Sequence, residues 1–168
     1  MDRIWAPWRM EFIVNEKPSG CIFCLGERKD EDAEKERLIL HRGMHTSIMM
    51  NRYPYSCGHL LVSPLRHVAD MGRLLPEEML ELFENVRLCC SVMTGILSPQ
   101  GYNIGMNLGK AAGAGVDDHL HIHVVPRWVG DTNFMTLIAD VRVMPESLSA
   151  TYDKLLVGFR DAGESAAR

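Results

Sequence analysis

No apolar run in the 168 residues approaches the roughly 20 needed to cross a bilayer. Residues 1–12 also lack the uninterrupted apolar stretch of a secretory signal. The expectation is a cytoplasmic chain with no membrane partner. A dominant charge sign is missing as well: 18 Lys+Arg stand against 22 Asp+Glu, a net charge of -4. Nothing therefore draws the whole surface to nucleic acid, and any phosphate that binds must be captured by a local site. The five cysteines are an odd count, which in a reducing compartment excludes a disulfide framework and favours free thiols and a metal site. No internal repeat is present. With 46% hydrophobic and 24% charged residues the composition excludes a disordered or collagenous chain. A chain of this length buries around 70% of its unfolded surface, so residues 1–168 are expected to form one domain.

The organisation follows from punctuation and periodicity. Residues 1–37 read as an N-terminal segment, with Trp5, Pro7 and Trp8 suited to docking on a core and a charged run from Glu27 to Arg37 suited to a solvated loop or short helix. Residues 38–145 read as the core. Short apolar runs at 38–41, 47–51 and 59–63, separated by Arg42-Gly43 and by the stretch 53–58, predict three antiparallel strands. Residues 103–108 and 119–128 return to strand character. Between them Pro76 opens a long amphipathic helix in which Met79, Leu82, Phe83, Val86, Cys89, Cys90 and Met93 recur at three- and four-residue spacing. Residues 146–168 read as a C-terminal helix ending in a frayed tail from Asp161. The fold class is thus α+β: an antiparallel sheet of about five strands with one long and one C-terminal helix.

The stretch His119-Leu120-His121-Ile122-His123-Val124-Val125 is the most informative in the chain. In a strand, alternate residues share a face, so three imidazoles line one side while Leu120, Ile122 and Val124 face a core. Neutral imidazole is a competent nucleophile near pH 7, provided one nitrogen attacks while the other is held in a fixed tautomer by an acceptor. The middle residue of the row has an imidazole on each side. His121 is therefore the candidate nucleophile, with His123 and His59 stabilising charge on a phosphate.

These residues, with His59, Asn51 and the glycine-rich approach 109–115, resemble the histidine triad (HIT) superfamily of nucleotide hydrolases and transferases. The stretch Met50 to Pro54 and the string Gly58 to Arg66 resemble the fragile-histidine-triad branch, which acts on dinucleoside polyphosphates. Residues 5–9 and 125–134 are more like the bacterial diadenosine tetraphosphate phosphorylase branch. The resemblance implies a HIT-like fold, usually a homodimer, and cleavage of a dinucleoside polyphosphate through a nucleotidyl-His121 intermediate, with diadenosine tetraphosphate as the expected substrate. It places His59, His119 and His123 in the catalytic group. It also implies ribose contact by Asn51 and α-phosphate contact by Asn107, and backbone N–H groups of Gly113 and Gly115 can cradle an anion. Spacing alone slightly favours reading Asn51 as an Asx turn into Tyr53-Pro54. Family members commonly carry Gln, Ser or Thr just before the triad, whereas here the residues are Gly115, Val116, Asp117 and Asp118.

Cys21 and Cys24 form a C-x-x-C pair with no thioredoxin-like surroundings. By resemblance to zinc-containing relatives, His67 and His119 complete a structural Cys₂His₂ zinc site, closed to any water nucleophile. Mg²⁺ accompanying the polyphosphate is left open. Two further readings stand beside this one: a nucleoside phosphoramidase or general nucleotidyl hydrolase, and a zinc-stabilised nucleotide-binding protein without catalysis.

Overall fold

In the computed structural model, residues 20–26, 30–131 and 146–166 are described. The expectations for Trp5 and Trp8, for residues 27–29 and for the stretch 132–145 lie outside the described residues.

Five strands form one antiparallel sheet in the order β1-β2-β3-β5-β4: β1 (Ile39–Arg42), β2 (Thr46–Met50), β3 (Leu60–Pro64), β4 (Gly101–Gly105) and β5 (Ile122–Arg127). Among the described residues three α-helices accompany them: α1 (Glu31–Glu36), α2 (Pro76–Leu97) and α3 (Leu148–Ala166). Alternation along the strands divides the sheet into two faces. Leu40, Ile48, Met50, Leu60, Val62, Ile122 and Val124 turn to the helix side and pack against Leu82, Val86, Cys89 and Met93 of α2 and against Leu155 and Phe159 of α3. Burying such side chains stabilises the fold by about 1.5–3 kcal/mol each.

The helix α2 starts as its sequence requires. Pro76 occupies the first turn, and Glu78 reaches back to accept from Leu75 N–H at 2.8 Å while its carboxylate takes a bidentate pair from Arg66 at 2.8 and 2.7 Å. The buried face differs from the expectation at two positions. Met79 (37% exposed) and Phe83 (55%) lie outside the core, and Asn85 and Val92 take inward places instead. Asn85 donates to Thr46 Oγ1 at 2.6 Å, so it tethers α2 to the start of β2. Helix α3 runs through the residues expected to fray, continuing to Ala166. Gly158 allows it to approach α2 closely, because a Cβ there would stand 2.4 Å from Ile96 Cδ1. Tyr152 Oη donates to the Ile39 carbonyl at 2.9 Å, tying α3 to the edge strand β1 next to the irregular register between Ile39 and His41.

The strand carrying the histidines is shorter than its pattern suggests. The last β3–β5 pair is Val62 with Ile122, so His119 and His121 precede the strand. Pro64 has no N–H to continue the ladder. Its carbonyl accepts from His119 Nε2 at 2.8 Å, and Leu120 N–H bonds to Val68 O at 2.8 Å. The side-chain alternation nevertheless survives, with Leu120 in the helix-side core. Similarly β4 occupies 101–105 in place of the expected 103–108, leaving Asn107 two residues beyond its end.

The second face carries a smaller cluster of Phe23, Ile39, Met49 and Leu61, with Cys21, Leu25 and Val116 packed on it. The functional residues gather on this face.

Candidate active site and metal centre

Four imidazoles gather on this face: His123 in β5, His119 and His121 just before it, and His59 just before β3. His121 Nδ1 lies 2.9 Å from the His119 carbonyl, which only accepts, so Nδ1 carries the proton and Nε2 carries the lone pair. The acceptor anticipated from sequence is thus the backbone of a triad neighbour. Burial pushes the His121 pKa below its ordinary value, against the opposing pull of that hydrogen bond. The ring is neutral at pH 7 with one nitrogen free to attack.

A second chain of hydrogen bonds has a fixed direction. Tyr55 N–H donates to His59 Nδ1 at 3.1 Å. His59 must therefore hold its proton on Nε2, which lies 2.9 Å from His123 Nδ1 and donates to it. His123 in turn holds its proton on Nε2, a buried atom with no hydrogen-bond partner among the described residues. His59 is pushed down to about 3, first by burial and then by the positive fields of His123 and His121. His123 is pushed down to about 4, by burial and then by His121. Both rings therefore relay through neutral tautomers. Gly105 is the β4 residue opposite His123, and the space where its Cβ would stand is open, so that flank of His123 carries no side chain.

Asn51 is engaged on both sides. Its Oδ1 accepts from Tyr53 N–H at 2.9 Å, which is the Asx turn, and its Nδ2 donates toward His59 Nδ1 at 3.3 Å. Asn107 is half-buried beyond β4. The loop with Gly113 (φ +82) and Gly115 precedes His119, and an open cleft of about 400 Å³ separates Gly115 and Asp118 from Cys21, Ile22 and His67. The acids of this loop have side-chain neighbours: Asp117 faces Lys110 Nζ at 3.7 Å and Asp118 faces His67 Nε2 at 3.8 Å.

Two aromatic residues that the sequence did not mark belong to the site. Phe23, 1% exposed, stacks on His121 with ring centroids 4.7 Å apart and an interplanar angle of 25°. Tyr55 lies 4.8 Å from His59 and 5.8 Å from His123. His121 thus has one imidazole flank, His123 at 4.9 Å, and one phenyl flank, where an imidazole on each side was expected. Only their positions, inside the C-x-x-C and four residues before His59, hinted at Phe23 and Tyr55.

The four expected metal ligands come together. The ligand atoms of Cys21, Cys24, His67 and His119 all lie within 4.8 Å of one another. Cys21 Sγ is 3.2 Å from His119 Nδ1, Cys24 Sγ is 3.3 Å from His67 Nδ1 and 3.8 Å from His119 Nδ1. With zinc–sulfur near 2.3 Å and zinc–nitrogen near 2.0 Å, the edges of a tetrahedron measure roughly 3.3–3.8 Å, so the donor set fits zinc. The His119 proton sits on Nε2, held by Pro64 O at 2.8 Å, which leaves Nδ1 as a lone pair aimed at the thiols. His119 therefore gives its ring to the metal cluster and its carbonyl to His121.

The HIT domain family model matches residues 32–129, and the chain belongs to that family. It is 35% identical over 161 residues to AP-4-A phosphorylase of Mycobacterium tuberculosis, spanning 90% of this chain and 80% of that protein. Two solved structures share the fold. A hypothetical histidine triad nucleotide-binding protein of Sulfolobus tokodaii superposes with a TM-score of 0.64 at 24% identity, over 88% of this chain and 95% of that one. A zinc-bound histidine triad family protein of Mycobacterium smegmatis superposes with a TM-score of 0.62 at 24% identity, over 76% of this chain and 87% of that one. Among the described residues no helix is long and apolar enough to cross a membrane.

Proposed function

We propose that this chain is a nucleotidyl hydrolase or transferase that cleaves dinucleoside polyphosphates, diadenosine tetraphosphate foremost, through a covalent nucleotidyl-His121 intermediate in the cytoplasm. The observation that carries the reading is the hydrogen bond from His121 Nδ1 to the His119 carbonyl, which leaves Nε2 as the only nucleophilic atom of that ring. The 35% identity to an AP-4-A phosphorylase supports the substrate class.

In the first step His121 Nε2 attacks an α-phosphorus. A P–N bond forms as the P–O bond to the leaving polyphosphate breaks, and the positive charge that develops on the imidazole is met by the His119 carbonyl. His123 Nε2–H donates a hydrogen bond to the phosphate or the leaving oxygen, and His59 Nε2–H, bonded to His123 Nδ1, fixes the tautomer that presents this donor. In the second step an acceptor attacks the same phosphorus and the P–N bond breaks, returning His121 to its starting tautomer. Inorganic phosphate as acceptor yields ADP and ATP from diadenosine tetraphosphate, and water yields AMP and ATP. Asn51 contacts the ribose, while Asn107, Gly113 and Gly115 contact the phosphates. Mg²⁺ accompanies the polyphosphate and offsets its charge. Cys21, Cys24, His67 and His119 would hold zinc, which would cross-link the turn that carries both thiols to the sheet.

Chromatography of the products from diadenosine tetraphosphate plus Mg²⁺, with and without inorganic phosphate, tests this reading in the wild type and in His121→Asn. The expected outcome is turnover by the wild type alone, with nucleotide affinity retained in the variant. Absence of products in both conditions, or equal turnover by His121→Asn, refutes it.

A further inference from the structure

The turn that supplies both thiols also supplies the flank of His121. Between Cys21 and Cys24 the chain makes one tight turn, with Cys24 N–H bonded to Cys21 O at 3.2 Å. Arg37 clasps the turn from outside, its Nη2 donating to Ile22 O at 2.6 Å and to Cys24 O at 3.0 Å. Of the two residues between the thiols, Ile22 is 42% exposed and Phe23 is 1% exposed. The turn therefore has one inward side chain, and that side chain lies on His121 at 4.7 Å and against His119 at 5.2 Å.

His121 needs such a neighbour. Among the described residues its one hydrogen bond is at Nδ1, next to the ring atom that joins the backbone, so both restraints act on one side of the ring and the attacking Nε2 on the far side is left free to tilt. A flat apolar surface at stacking distance removes the tilt and keeps water from the lone pair. Phe23 itself is held below by Ile39, Met49 and Leu61 and behind by its neighbours Cys21 and Cys24.

We propose that Phe23 is a positioning residue for His121, and that metal in the Cys21, Cys24, His67 and His119 cluster keeps it in place. The metal centre then acts on the reaction through the aromatic ring that its turn carries inward. The inference rests on His121 being the nucleophile.

The test uses the zinc-loaded full chain, with Phe23→Leu and Phe23→Met as apolar replacements that lack a ring. Phe23→Met is the one to use if the leucine variant fails to retain zinc. In a variant with full zinc content, kcat is expected to fall about 10- to 100-fold with KM within about twofold, the signature of a misaimed reacting group. The proton resonances of the His121 ring, assigned by their loss in His121→Asn, are expected to move downfield as the phenyl ring current disappears. Chelating zinc from the wild type is expected to move them the same way, and to move them no further in the variant. Unchanged His121 resonances, or a loss confined to KM, overturns the proposal. The two readings separate cleanly: if His121→Asn proves as active as wild type, the nucleophile assignment fails, whereas the resonance shifts report the aromatic contact in either case.

Discussion

Lowering the pH should weaken this fold through His59 in a way that a single substitution removes. His59 is fully buried, its Nδ1 accepts from Tyr55 N–H, and its pKa lies at about 3 in the folded protein because burial and the fields of His123 and His121 oppose a charge there. In the unfolded chain the same ring titrates near 6.5. The folded state thus binds fewer protons than the unfolded state between these values. The stability His59 contributes is complete above about pH 6.5 and is lost as the pH falls toward 3. One proton of difference amounts to about 1.4 kcal/mol per pH unit, so from pH 6.5 to 5.0 the loss is about 2 kcal/mol. Urea unfolding of the zinc-loaded wild type and of His59→Gln at pH 7.0, 6.0 and 5.0 measures it. Titrations elsewhere are common to both proteins and cancel in the comparison. The wild type should lose about 2 kcal/mol more than the variant across this range; His123, pushed down to about 4 by burial and by His121, titrates in both proteins and cancels. Parallel profiles would show that His59 charges freely in the folded protein and would sink the argument for a neutral relay.

Replacing Cys24 by Ser should lower bound zinc from about one per chain to near none, read by elemental analysis. It should also reduce stability by at least about 3 kcal/mol, a fraction of the roughly 10–16 kcal/mol of a structural zinc site; full zinc content in the variant refutes the ligand assignment. We also propose that two copies pair through β4, and the supporting observation is its place at the sheet edge. Sedimentation equilibrium should give twice the 19.0 kDa chain mass, and a monomer at micromolar concentration counts against it.

Much of this fold was legible in the residues because alternation and helical spacing are local. The runs ending at His41, Asn51 and Ser63 became β1 to β3, and the spacing of Leu82, Val86, Cys89 and Met93 marked the face that α2 buries. Met79 and Phe83 fit the same spacing and yet lie outside, because the buried stripe is turned toward Asn85 and Val92 and leaves these two on its flank. The three histidines of the pattern come together for a reason that differs from a continuous strand. Alternating side chains need only extended backbone, whereas a ladder needs a donor opposite, and Pro64 offers none. Phe23 was invisible because nothing local says which of two apolar residues between the thiols turns inward. The same holds for the direction of the His59 to His123 chain, which is decided by a backbone N–H at Tyr55 brought there by a turn.

The two margins of the sheet are not alike. At β1 the register slips between Ile39 and His41, and Tyr152 from α3 occupies the Ile39 carbonyl. At β4 the five pairs with β5 run without interruption, and its outer side meets no other strand among the described residues. Among the described residues β4 is therefore the margin better suited to take up a foreign strand. Joining two molecules margin to margin uses up the adhesive side of each, so growth stops at a closed pair and cannot run on into a fibre.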